Sequence, residues 1–93
     1  MKLFNCGTLF VEPEVFDLAT EPEVKTLVEF HSHGLFNEIP EEDKLRNHLA
    51  LHSHGKIRSV YSLARDKKVL ITTDMEEAYT IVRAIKSVRN VII

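Results

Sequence analysis

Cysteine, tryptophan, glycine and proline are all scarce in this chain, with one Cys, no Trp, three Gly and three Pro among 93 residues. Cys6 alone allows neither an intramolecular disulfide nor a cysteine-rich structural zinc site, and a reducing, cytoplasmic setting is expected. So few glycines leave no glycine-rich phosphate loop. No apolar run approaches the roughly 18 residues that a membrane-spanning helix needs. Met1-Lys2-Leu3-Phe4 runs into Asn5-Cys6-Gly7 and then Glu12-Pro13-Glu14, which is not a signal-peptide pattern, so no membrane partner is expected. What is present is an ordinary mixture, 44% hydrophobic and 28% charged, enough for a single domain with one core. A domain of this size buries only about 60 to 65% of its unfolded surface, so self-association is a natural supplement.

Charge is unevenly placed. Residues 1–30 carry −4, residues 31–55 carry −2 and residues 56–93 carry +4, which together give the net −2. Lys56, Arg58, Arg65, Lys67 and Lys68 form the first part of the basic third and are the candidate binding residues, with Arg83, Lys86 and Arg89 further on. They suit a phosphate-bearing or acidic partner, although a net acidic chain is not a dedicated nucleic-acid binder, and solvated faces account for the same charges.

The pattern of elements is α+β. Residues Lys2 to Val11 read as a short strand or hairpin. Thr20-Glu21-Pro22-Glu23 is a capping box with proline in the first turn, and predicts a helix to about Ser32 whose apolar stripe is Val24, Leu27, Val28 and His31. Pro40 with Glu41, Glu42 and Asp43 opens a second helix to about Ser53, with a stripe of Leu45, His48, Leu49 and His52 flanked by Leu51. Short Leu35–Ile39 between them predicts an antiparallel helical hairpin. Ile57–Ala64 and Lys68–Thr73, joined by Arg65-Asp66-Lys67, predict an antiparallel strand pair. Tyr79–Ile85 fits a third strand, whereas Asp74 with Glu77 and the positions of Met75, Ala78, Val82 and Ile85 fit a helix equally well.

Within this framework His-Ser-His-Gly occurs twice, at residues 31–34 and 52–55, and an offset of 21 aligns Val24–Gly34 with Leu45–Gly55 as a repeat of one helix and its stop. Gly34 and Gly55 are expected in the left-handed conformation that closes a helix, with histidine in the last turn against the negative end of the dipole. His31, His48 and His52 are then expected at the rim of the core. The rival reading makes His31, His33, His48, His52 and His54 ligands of a divalent metal, since histidine is the commonest metal ligand. An antiparallel hairpin separates the two His-Ser-His pairs by roughly 18 Å, so one ion cannot take both within a chain; a dimer, or His48 with His52 alone, could. Glu29, His31, His33 and Asp43 are superficially similar to the JAMM zinc isopeptidase pattern, but Ile39 and Pro40 occupy the region where its serine belongs. No other constellation offers a nucleophile or an acid/base pair, so no residue is assigned as catalytic.

From His31 to Val82 the order of residues resembles a family of small domains of unknown function on bacterial plasmids and mobile elements, labelled plasmid-related proteins. The matching residues are His31-x-x-Gly34, Glu42-Asp43-Lys44, Asn47, Ala50-Leu51, Ser59-Val60-Tyr61, Ile71-Thr72-Thr73-Asp74 and Thr80. Leu35-Phe36-Asn37 stands where the family has Asp-Trp-Gly, and Glu77 where it has arginine. The resemblance implies that Tyr79–Ile85 is a strand, and implies no activity. The expectation is therefore a non-enzymatic accessory protein of a mobile element or its host, without a cofactor, acting through protein or nucleic-acid contacts. A histidine-based metal binder is the alternative, and a metal-dependent hydrolase ranks below it.

Overall fold

The first helix forms where its cap dictates. In the computed structural model, which describes residues 2–63 and 67–85, Glu23 N donates to Thr20 Oγ1 at 3.3 Å and Thr20 N donates to the Glu23 carboxylate at 2.7 Å. That reciprocal pair starts α1, Glu21–Ser32. Gly34 ends it at φ 86°, and Leu3 N donates to Ser32 O at 2.7 Å, so the N-terminal segment lies against the helix end. A 3-10 turn, Pro13–Asp17, precedes it. The second helix, α2, spans Glu41–Ser53 with Pro40 at its cap position.

Four strands form one sheet: β1 Thr8–Val11, β2 Lys56–Ser62, β3 Lys68–Asp74 and β4 Tyr79–Ile85, in the order β1-β4-β3-β2. The fold is α+β, and Tyr79–Ile85 is a strand. β2 and β4 flank β3 antiparallel, with Ser59 opposite Ile71 and Ile71 opposite Val82. The N-terminal strand joins this antiparallel trio as a parallel edge, Thr8 against Tyr79 through Val11 against Val82. Gly7 makes that junction possible. It has φ 67°, and a Cβ there would stand 2.1 Å from the carbonyl oxygen of Ala78, the residue that accepts from Thr8 N. The loop Arg65-Asp66 lies outside the described residues, as do Lys86 and Arg89. Among the described residues no helix is long and apolar enough to cross a membrane.

Alternation along the strands separates two faces. The inner face carries Ile57, Ser59 and Tyr61 of β2, Val69, Ile71 and Thr73 of β3, and Thr80 and Val82 of β4, all buried. Beneath α1 and the 3-10 turn, Val15, Ala19, Val24, Tyr61, Val69, Ile71 and Val82 form one apolar cluster. Beside α2, Phe4, Phe36, Ile39, Ala50 and Ile57 form another. The helices pack on the sheet, each with β2 as its main neighbour, rather than chiefly on one another as a free-standing hairpin would.

Two expectations for α2 are overturned. The predicted stripe faces solvent: Leu45, His48, Leu49 and His52 are all exposed, and the buried residues are Asn47 and Ala50. At 100° per residue, α2 is turned by about half a revolution relative to α1 in the aligned repeat. The cause is Asn47. Its Nδ2 donates to Arg58 O at 2.8 Å and its Oδ1 accepts from Arg58 N at 3.0 Å, so one amide side chain pairs with the outer edge of β2 as a neighbouring strand would. Val60, two residues on, is paired by Phe36 O and Glu38 N. The edge is thereby covered. The stop also differs. His54, not Gly55, takes the left-handed conformation at φ 59°, while Gly55 lets the chain pass close to the helix, where a Cβ would meet that of Ala50 at 3.3 Å.

Asn47→Ala removes both contacts to Arg58 and leaves a strand edge to water. A loss of about 2 to 4 kcal/mol in urea unfolding is expected, since each such bond contributes about 1 kcal/mol and an unpaired buried group costs about 1 to 3. A loss under about 0.5 kcal/mol, typical of a neutral surface change, would mean that the clamp does not orient α2.

Candidate functional site

His31 is the centre of a buried polar chain. It is fully buried, with edge-on contacts to Phe4 at 5.1 Å and Phe36 at 6.4 Å between ring centroids. Nδ1 meets Ser59 Oγ, and Nε2 lies 2.9 Å from Thr73 Oγ1. Thr73 Oγ1 is 2.6 Å from Thr80 Oγ1, which donates to Cys6 O at 2.7 Å. The direction of every bond follows from counting hydrogens. A hydroxyl has one, and that of Thr80 goes to the carbonyl, which can only accept. Thr73 must then donate to Thr80 and Nε2–H of His31 to Thr73; because burial keeps the ring neutral, Nδ1 accepts from Ser59. The chain is thus polarised from β2 to the N-terminal segment, with His31 neutral as the Nε2–H tautomer.

Desolvation by burial lowers the His31 pKa from 6.5 to about 4. The fold therefore binds the neutral form. The side-chain partners in this hydrogen-bonded network are neutral hydroxyls ending on a backbone carbonyl, and His31 is fully buried, so the network ties α1 to the sheet.

The other histidines do not join it. His33 is exposed, its Nδ1–H donating to Glu29 O at 2.7 Å with the Glu29 carboxylate 3.9 Å away. His48 is exposed and edge-on to Phe36 at 6.3 Å. His52 and His54 are exposed at the end of α2. Among the described residues no three His, Cys, Asp or Glu side chains converge to hold a metal ion, and Asp43 is paired with Arg46 at 3.8 Å rather than near Glu29 and His33.

The candidate binding residues do share a surface. The outer sheet face is a grid whose rows follow from register: Thr8, Tyr79, Asp74 and Lys56; then Phe10, Ile81, Thr72 and Arg58; then Arg83, Leu70 and Val60; then Ile85, Lys68 and Ser62. Lys56, Arg58 and Lys68 are on it, joined by Arg83; Lys67 is exposed just before β3, and Arg65 lies outside the described residues. Arg83 is paired with Glu12 at 3.2 Å and Lys68 with Glu38 at 2.9 Å. Hydrogen bonding from Ser62 and from Lys68 holds the Glu38 carboxyl below its ordinary range. Lys56 and Arg58 have no carboxylate within ion-pair distance among the described residues.

Two aromatic residues that sequence reasoning missed complete the face. Phe10 is 54% exposed and meets Tyr79 edge-on at 6.2 Å. Tyr79 also lines a shallow depression of about 170 Å³ with Lys56, Thr72, Asp74, Ile81 and Arg83. Their signal in the sequence was alternation, Phe10 being out of phase with Leu9 and Val11, but which strand lay beside which was needed to place them together. Comparison of the chain with protein-family models, with curated proteins and with solved structures finds no match.

Acid should act on the fold through His31. The unfolded chain takes up a proton near pH 6.5 and the folded chain only near pH 4, so the contribution is complete above 6.5 and is lost as pH falls between these values. Its full size is about 3 kcal/mol, at 1.36 kcal/mol per pKa unit. Urea unfolding at pH 7.5 and 4.5 should show wild type losing about 2 to 3 kcal/mol more than His31→Asn. Equal losses would mean that His31 titrates normally in the fold.

Proposed function

We propose that this chain is a small non-enzymatic accessory protein that binds single-stranded nucleic acid across the outer face of its sheet. It self-associates, works in the cytoplasm, and serves a mobile element or its host. The observation that carries the reading is the exposed Phe10 ring beside Tyr79, in the same rows of the sheet as the unpaired Lys56 and Arg58. Single strands are held by stacking of bases on aromatic rings together with cations that track the phosphates, and both elements stand on one surface. The net acidity of the chain is no obstacle, because the acids lie mainly in the first 55 residues and the face draws on the basic third.

A duplex suits the surface less well. An open sheet face with rings on β1 and β4 and cations on β2 reaches unstacked bases, whereas duplex binding would use the cations alone. The lone Cys6 and the likeness to plasmid-related proteins supply the cytoplasmic setting and the mobile element in this reading.

Fluorescence anisotropy with a labelled oligothymidine or oligouridine, and the matching duplex, tests it. Phe10→Ala should weaken single-strand binding about 5- to 150-fold, the equivalent of 1 to 3 kcal/mol for one stacked base. Replacing Lys56 and Arg58 together by Ala should lower the slope of log affinity against log salt by about 1.4, at 0.7 per phosphate contact. The reading fails if no strand binds at about 0.1 mM protein in low salt, an affinity weaker than non-specific binding, or if Phe10→Ala binds as wild type does.

A further inference from the structure

α2 presents to solvent the stripe that its sequence counterpart in α1 buries. Leu45 and Leu49 are 59% and 60% exposed, more than any other large apolar side chain among the described residues, whereas Val24, the equivalent of Leu45, is 2% exposed. With Glu42 and His52 they recur at spacings of 3, 4 and 3, the spacing of a two-helix seam.

We propose that a second copy of this chain covers the stripe, the two α2 helices packing antiparallel about a two-fold axis between Leu45 and Leu49. This rests on the self-association proposed above and assigns it a surface. The polar pattern along the helix, acidic in its first turn and histidine-bearing in its last, selects both occupant and direction. In such a pair residue n faces residue 94 − n, because Leu45 faces Leu49, so Glu42 faces His52 of the second copy. The acidic first turn, Glu41 to Asp43, then lies against the last turn of the second copy, which carries His52 and is followed by His54. A parallel pair would set acids on acids.

Glu42 is available for this role. Glu41 is paired with Lys44 at 3.5 Å and Asp43 with Arg46 at 3.8 Å within the helix, while Glu42 has no cation within that range among the described residues. The helix dipoles also oppose one another in the antiparallel arrangement, each negative end beside a positive one. An isologous interface of this kind closes on itself as a dimer.

Sedimentation equilibrium on the untagged, chelator-treated chain tests the proposal. Wild type should form a dimer, and Leu49→Arg should raise its dissociation constant at least about tenfold, as loss of a central apolar contact does. Circular dichroism should show both folded alike, since Leu49 is outside the core. Glu42→Lys should weaken the dimer about three- to tenfold, and Glu42→Lys with His52→Glu, which sets a lysine opposite a glutamate, should restore it. Three results overturn the proposal. A wild type still monomeric at about 0.5 mM, close to the 1 mM affinity worth only 4.1 kcal/mol, removes self-association itself. A dimer indifferent to Leu49→Arg keeps self-association but places it on another surface. A double variant that does not restore the dimer rejects the antiparallel register.

Discussion

The bond network around His31 is the constraint on which the rest of the molecule depends. An imidazole fully removed from water must have both ring nitrogens satisfied, and here each partner is a hydroxyl with a single hydrogen to give. The chain closes only because Thr80 can end it on a backbone carbonyl, that of Cys6. One side chain thereby ties α1 to β2 and β3, and through Thr80 to β4 and to the segment leading into β1. That segment needs such an anchor, because β1 is four residues long and pairs with β4 alone. The polar residues sit at the seam of two apolar clusters. Ser59 follows Ile57 of one and precedes Tyr61 of the other on the same face of β2. In so dry a place a partly satisfied network would cost more than it gives, and the complete one allows a single arrangement of helix on sheet.

Sequence repetition and structural equivalence part company in α2. The same letters, His-Ser-His-Gly after an apolar stripe, close both helices, but they do so on opposite faces. In α1 the stripe finds a sheet face beneath it. In α2 the buried face meets both the small apolar cluster around Phe36 and Ile57, through Ala50, and the edge of β2, which offers backbone N–H and C=O groups at Arg58. An asparagine meets that surface better than a leucine does, because its amide both donates and accepts with the spacing of a peptide. Ala50 then permits close approach, and Gly55 lets the chain turn tightly into β2. Leu45 and Leu49 are left outside because Asn47 and Ala50 take the face of the helix that meets the β2 edge and the cluster beside it.

This division also marks what was legible in the chain. The capping box at Thr20, the proline at the start of α2 and the period-2 runs of β2 and β3 are local, and the elements appear where those signals place them. The strand at Tyr79–Ile85 competed with a helical pattern through Asp74 and Glu77. Asp74 does accept from Glu77 N at 3.0 Å, but the contact closes a turn rather than opening a helix. Parallel addition of β1 was not legible, because pairing across some seventy residues has no local signature. The histidines drew attention by number, whereas the partners that decide the role of His31 are Ser59, Thr73 and Thr80, small polar residues at inward strand positions. A hydroxyl in an otherwise apolar alternation was their only mark. The candidate binding face was half legible, its cations standing out by charge and its aromatic rings only once strand order was known.

The two uncovered surfaces reinforce one another physically. The outer sheet face is small, with two rings and two cations that have no carboxylate partner among the described residues, and on the reading proposed above it would alone hold a flexible strand weakly. The α2 stripe shares no residue with it, so pairing of two chains through Leu45 and Leu49 leaves both outer faces free. Two weak faces in one particle act on one strand at an effective concentration that reaches the millimolar range when the strand spans them, and this can strengthen binding by about 10²- to 10⁴-fold without a new contact. Under the two proposals together, the stripe left exposed in the single chain would be the means by which a domain too small to carry a deep site assembles an extended one.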